Sequence, residues 1–328
     1  MDNKISIEYT QPKFWHRCLA NLVDFIIFVF LFFTFFIISR TIVTHNESYV
    51  ALDQRIDEVR LNSGLYMNTD DGLYEICSYA ENYKDTSSKQ KKIYASKAID
   101  NFINYLSVNG DSDSYNIVKE EYTTYLNSFI IDGVPCFILD GDKLVENTEC
   151  SYTDLQYYEN IYKPYLTDKC YAYLTTYVGS YYQDIKMMSN MFLYVEFPIS
   201  FVLGAVLTWL IPPIFFKRGR KTLGKALYHI GLVNEECLNP SFGKYTLRFI
   251  IFFFAELTLS LLTFGIPFII SFSMMSFSKK RQGFPDYMLM LTEVDNSKNK
   301  IYFDKVEIAL DNDRVQKSPI DFNMEKPL

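Results

Sequence analysis

The sequence predicts an all-α polytopic membrane protein of three apolar blocks, the third read as a helical hairpin. A mainly helical extracytoplasmic domain containing a small β-hairpin is inserted between the first two blocks. Three observations carry this reading. Apolar runs cover 18–39, 191–216 and 246–277, each long enough to cross the ~30 Å apolar core of a bilayer as a helix. Residues 40–189, between the first two runs, carry 13 Lys/Arg against 23 Asp/Glu. Residues 217–248 carry seven Lys/Arg against two Glu, so the overall charge of -7 belongs to the insertion and the basic charge sits beside the membrane.

Residues 1–39 hold a short polar lead and the first span. Pro12 and Trp15 mark the approach to the interface, where an indole ring sits well at headgroup level. Arg17, Asn21 and Asp24 follow at i, i+4 and i+7, which puts them on one stripe over two turns. A carboxylate there costs about 2.5–3.5 kcal/mol on insertion scales, so Asp24 is expected to face protein, with Arg17 its nearest partner in sequence. The block has no small-residue cleavage site after it and is expected to stay as an anchor.

Residues 40–189 are long enough for a core of their own. Helical periodicity recurs in SYVALDQRIDEVRLN, KKIYASKAIDNFINYLS and YNIVKEEYTTYLNSF. FIIDGVPCFILDGDKLVEN then holds two β-prone runs with Asp-Gly signals, a hairpin. A Tyr-rich helical stretch from Ser151 to Ser189 leads back to the membrane, with a bend expected at Pro164 and its rings read as packing and an aromatic collar. Asp140 and Asp142 read as turn residues. Cys77, Cys136, Cys150 and Cys170 are candidate disulfide partners in an oxidising compartment, the other two of the six cysteines falling near the inner face. Four cysteines allow three connectivities; the favoured one joins Cys136 to Cys150 and Cys77 to Cys170.

The second span, 190–216, has Glu196 near its outer end, expected to reach the headgroups, and Pro212-Pro213 near the inner end, a kink or stop. Residues 217–245 read as an amphipathic basic segment on the cytoplasmic interface, with Leu223, Leu227, Ile230 and Val233 opposing Lys221, Lys225 and His229. A basic cluster of this size beside a span is a topology signal and no nucleic-acid patch. In 246–277, Glu256, Ser260 and Thr263 form a second polar stripe, with Arg248 at the inner edge. Gly265 and Pro267 interrupt the block, so it is read as a helix and a shorter returning helix, the alternative being one long tilted span. The tail, 278–328, begins with SKKR and Asp286, and from 295 it is polar and expected to be partly disordered.

Lys and Arg in short loops stay cytoplasmic. The basic residues before the first block, KRGRK at 217–221 and SKKR at 278–281 share one side only if the third block enters and leaves there. That places both termini in the cytosol and 40–189 outside, in a multi-pass protein of the cell membrane.

These landmarks together resemble the RDD family of bacterial membrane proteins, named for one arginine and two aspartates. The matching residues are Arg17, Asp24 and Asp286, with Thr222, Gly224 and Lys225 in TLGK like the family's Thr-x-Gly-Lys, and Arg248 at the head of the third block. The resemblance covers roughly 12–40 and 190–295. The chain departs from it in the 150-residue insertion, in Leu223 where proline is common, and in Pro285 where histidine is common. The resemblance implies a transport-related role, including cation/proton exchange.

Two function classes follow. An intramembrane site of Arg17, Asn21, Asp24, Arg248, Glu256 and Asp286 would hold a cation or proton, since intramembrane carboxylates near cations bind and release such ions. Alternatively the membrane part anchors a domain that recognises a protein partner, as an accessory subunit of a larger membrane complex. Few spans in either case favour a homo-oligomer or a complex. With three histidines, no HExxH, no Walker loop and no GxGxxG, neither enzyme chemistry nor a cofactor or metal is expected.

Overall fold

The computed structural model describes residues 9–83, 86–141, 143–278, 280–297 and 300–317. Asp142 and Lys279, named above as turn and topology residues, lie outside them, as do the first eight residues and the last eleven. The chain divides into two compact units, one built from the residues up to Arg40 and from Glu196 onward, the other from Thr41–Val195.

The membrane unit is built on helices long and apolar enough to cross a bilayer. They are Phe14–Thr44, Gly179–Phe215 and Phe242–Leu262, here the first, second and third spans; a shorter apolar helix, Ile266–Phe277, follows. The third block is therefore interrupted, as Gly265 and Pro267 suggest. The turn is made by Phe264 and Gly265, both with positive φ (52° and 86°), and the returning helix packs back on the third span through Phe252 and Phe268. Its 12 residues rise only about 18 Å. The core joins Phe28, Phe201, Ala205, Phe249 and Leu257. The first two spans approach closely at Gly204, where a Cβ would stand 3.3 Å from the Phe32 amide, the usual use of small residues between membrane helices. Pro212-Pro213 form the last helical turn of the second span, which ends at Phe215.

The segment after the second span differs from the amphipathic helix expected of it. Only Leu223–Leu227 is helical; Ile230–Val233 is a strand buried at all four positions. It pairs antiparallel with Thr292–Asp295, Ile230 opposite Asp295 and Val233 opposite Thr292. A β-branched apolar run buries more as a strand between two layers than as half of a surface helix. Arg218 pairs with Glu307 at the surface, and Arg220 reaches the carbonyls of Pro213 and Pro240. Among the described residues of the tail, Lys305–Lys317 is a helix.

Among its described residues the inserted unit is helical with three small hairpins. Helices Glu47–Asn62, Ser88–Asn109 and Ser114–Asn127 occupy the three periodic stretches, the first two capped by Asn46 and Ser87. Their buried faces, including Leu52, Ile56, Ile99, Phe102, Leu106 and Val118, meet the Tyr-rich helices. The β region holds two hairpins where one was expected. Ile130–Ile131 pairs with Val134–Pro135 and Phe137–Asp140 with Lys143–Glu146, and Asp132-Gly133 closes the first of these. Asp132 and Gly133 both have positive φ (52° and 78°), the type I′ geometry of two-residue hairpins. A third hairpin, Tyr66–Thr69 with Gly72–Glu75, lies at the unused TDDG signal.

Helix runs on through Pro164, flanked by π-helical turns, and breaks instead at Val178 (φ -116°, ψ 88°). Tyr157, Tyr158, Tyr162 and Tyr165 are core residues. The hydroxyl of Tyr157 donates to the Cys136 carbonyl, and those of Tyr158 and Tyr162 to Glu81 and Glu146. Cys136 and Cys150 stand within pairing reach, Cα atoms 5.1 Å apart. Cys77 and Cys170, paired in the favoured connectivity, are instead two free buried thiols, and burial pushes the Cys77 thiol up to about 11.

Candidate functional site

The first span buries Arg17, Ala20, Asp24 and Phe28, a stripe at intervals of three, four and four residues. Asn21 is turned off that stripe and is exposed, so it does not join the site. Arg17 does not pair with Asp24. Its Nε donates to Glu293 Oε2 at 2.5 Å, and another guanidinium nitrogen donates to the Arg281 carbonyl. Two turns separate Arg17 from Asp24, roughly 10 Å along the axis, and each finds nearer partners.

Asp24 is held from the segment after the second span. Thr222 Oγ1 donates to Asp24 Oδ2 at 2.5 Å, and the Gly224 amide to Oδ1 at 2.7 Å. Thr222 also caps the short helix by accepting from the Lys225 amide. Each position of TLGK except Leu223 then has a physical reason. Threonine supplies a donor to the carboxylate. Glycine leaves room, because a Cβ at 224 would stand 2.1 Å from the Ala20 carbonyl and 3.0 Å from Asp24 Cγ. Lysine reaches Glu293 Oε1 at 2.7 Å.

Glu293 is thus gripped by two cations, one per oxygen. Burial alone would raise its carboxyl, but the facing Lys225 and Arg17 charges outweigh burial and hold it far below the usual carboxylate range. The strand pair fixes this geometry, since Glu293 lies in one strand and Lys225 just precedes the other. Arg248 forms the remaining pair with Asp286, Nε to Oδ1 at 2.5 Å and Nη2 to Oδ2 at 3.1 Å, the bidentate arrangement. Asp286 is therefore the ion-pair partner of Arg248. Arg17 and Lys225 thus meet Glu293 and Arg248 meets Asp286, while Asp24 is held by Thr222 and the Gly224 amide with no ion pair among the described residues. This network joins the start of the first span, the start of the third and the segments after the second span and the returning helix.

Glu256 stands apart. It lies in a π-helical stretch of the third span, Phe252–Thr258, and is 5% exposed. Ser271 of the returning helix hydrogen-bonds its carboxyl and accepts from the Phe284 amide. Glu256 Oε1 and the hydroxyl of Ser260, one turn on, are buried without a partner. Among the described residues no Lys or Arg lies within ion-pair distance of Glu256. Thr263 leaves this stripe, half-buried and bonded to the Leu259 carbonyl. Glu196, expected among headgroups, is wholly buried and accepts from Arg40 Nη1 at 3.0 Å.

The RDD family model matches residues 166–289. The chain carries an RDD domain. The RDD match takes in TLGK, Arg248, Glu256 and Asp286; Arg17, Asp24 and Glu293 lie outside it and are tied to the RDD segment by the contacts above. The RDD family is membrane-associated, and with several apolar helices this makes the chain an integral, multi-pass membrane protein in contact with lipid. No curated protein and no solved structure gives a significant match.

Sequence reasoning missed Glu293, Ser271 and the Arg40–Glu196 pair. For Glu293 a signal was present: it is one acid after the apolar run MLML, where a charge implies a partner.

Proposed function

We propose that the membrane unit moves a monovalent cation or a proton across the bilayer, with Glu256 as the group that holds it. The observation behind this is the buried, cation-free carboxylate of Glu256 between two apolar helices, with the Ser260 and Ser271 oxygens beside it. A lone buried carboxylate is costly, and either a proton or a small cation removes that cost. Occupancy by one excludes the other, which is the basis of exchange. Arg17 and Lys225 already meet Glu293, Arg248 meets Asp286, and Asp24 is held by Thr222 and the Gly224 amide, so in this reading these groups hold the bundle and the ion-binding role passes from Asp24 to Glu256.

The basic segments place the network end of the bundle in the cytosol, and the inserted unit faces the other side. A disulfide between Cys136 and Cys150 persists in such a compartment. Three spans and a short returning helix are few for a carrier, so the working form is an oligomer or a subunit of a membrane complex, without enzymatic chemistry of its own. Flux in proteoliposomes under imposed Na⁺ or K⁺ gradients tests the reading. Glu256→Gln is expected to lose at least tenfold of the flux while folding normally, whereas Asp24→Asn lowers the yield of folded protein. Absence of flux in well-folded wild-type protein sinks it.

One observation favours a second reading, in which the inserted unit recognises a protein partner. That unit has its own core and presents apolar side chains on its hairpins, Ile130 and Leu139 among them. Intact flux after removal of 45–185 supports transport alone; a cellular defect with intact flux supports recognition.

A further inference from the structure

In the membrane unit Arg17 meets Glu293, Arg248 meets Asp286 and Arg218 meets Glu307. Arg220 is held differently. Its Nε donates to the Pro240 carbonyl at 3.4 Å and its Nη1 to the Pro213 carbonyl at 3.2 Å. The Phe242 ring covers one face of the guanidinium, with Cζ 5.4 Å from the ring centroid. The carbonyls fix the cation without neutralising it, and among the described residues no carboxylate lies within ion-pair distance. Burial lowers the guanidinium from its usual value, with the Tyr245 phenol, and no carboxylate, acting the other way. Nη2 has no protein acceptor among the described residues, so that edge of the group is open to the oxygens of an anion.

The backbone holds this arrangement under strain. Gly219 and Arg220 both have positive φ (77° and 43°), a conformation that a residue with a Cβ rarely adopts. The Gly219 amide donates to Asn239 Oδ1 at 2.6 Å and pins the turn beside Pro240. Pro213 lies in the last helical turn of the second span, and Pro240 just precedes Ser241, the cap of the third. The guanidinium therefore bridges the ends of two spans. Apolar side chains at these ends face outward. Phe215 is 77% exposed, and Phe242 and Ile250, on one face of the third span, are 41% and 44% exposed. At a bilayer surface, this is the level where acyl chain meets phosphate.

We infer that Arg220 binds the phosphate of an anionic phospholipid, its open guanidinium edge on two phosphate oxygens and the acyl chains against the exposed apolar side chains. A lipid headgroup and free phosphate share this chemistry; Phe215, Phe242 and Ile250 favour the lipid. The basic run 217–221 raises the local concentration of anionic lipid, and the pinned Arg220 selects one headgroup from that layer. No bond is made or broken. The inference does not rest on the transport reading.

The test uses the full chain in detergent micelles. Thermal unfolding is followed against added phosphatidylglycerol, phosphatidylcholine with the same chains, or inorganic phosphate. Phosphatidylglycerol is expected to raise the melting temperature where the other two do not. Arg220→Gln should raise the half-stabilising phosphatidylglycerol fraction about tenfold, the effect of losing a charged hydrogen bond. Arg220→Lys should raise it about threefold, because an ammonium lacks the planar fork. Lys217→Gln, a change at an exposed charge, should alter it less than about twofold. Equal responses to the two lipids overturn the inference. So does an unaltered response in Arg220→Gln, which leaves Arg220 as a tie between span ends. An equal loss in Lys217→Gln overturns it in favour of a diffuse basic surface, and phosphate matching the lipid overturns it in favour of a soluble anion. Where Arg220→Gln does not fold, Arg220→Lys decides: a weaker phosphatidylglycerol response with an unchanged melt in zwitterionic micelles supports the site, and an unchanged response overturns it.

Discussion

Both oxygens of Glu293 are engaged by buried cations, and removing the acid leaves Arg17 and Lys225 facing each other. Breaking a buried pair from one side costs about 3–5 kcal/mol, so Glu293→Gln is expected to lower thermal stability by that order in a detergent melt. The pH dependence has a definite sign. A folded carboxyl held below its unfolded value near ~4.3 contributes stability that is full above that value and is lost as pH falls below it. Melting temperature should therefore drop between pH 5 and pH 3 in wild type and drop less in Glu293→Gln. At Gly224 the expected effect is steric: with the Ala20 carbonyl 2.1 Å from an added Cβ, Gly224→Ala should yield no monodisperse protein on size exclusion. The sequence pointed to Asp24, Thr222, Gly224 and Arg248 as residues but not to who holds whom. Arg17 and Glu293 are 276 positions apart, and no local spacing rule reaches across that distance.

At the scale of elements, periodicity located the helices well, because an apolar face at 3.6-residue spacing is a local property. It misread 217–233, where four apolar residues fit either a helix stripe or a strand, and the choice was made by a partner strand in the far tail. The returning helix gives a checkable topology. Phe264 is 99% exposed at the tip of its turn. A cysteine there, in a background without Cys18 and Cys237, should react with a membrane-impermeant maleimide from the side of the inserted unit. Labelling only from the side of KRGRK would contradict the hairpin. For the small hairpins, Gly133→Ala forces a side chain into φ 78° and should cost about 1 kcal/mol, measurable by denaturant melt of the soluble unit.

For the molecule as a whole, composition alone separates the two units, since an acidic, tyrosine-rich stretch and three apolar blocks cannot share one solvent. Composition does not tell how self-sufficient the insertion is. Its core runs through its longer helices, and the hydroxyls of Tyr125 and Tyr157 are bonded to carbonyls within it. Residues 46–189 expressed alone should be soluble and unfold in one cooperative step, with circular dichroism as the readout; a broad, non-cooperative melt would mean that the unit depends on the membrane part.

The strand Thr292–Asp295 also sets an order of events in biosynthesis. Glu293 is the last member of the charge network to leave the ribosome, 276 residues after Arg17. At ~5–20 residues per second that delay is on the order of tens of seconds. Throughout it Arg17 waits without the acid that neutralises it, joined by Lys225 for the last 68 residues. A chain broken off before residue 293 keeps both cations without the acid that grips them.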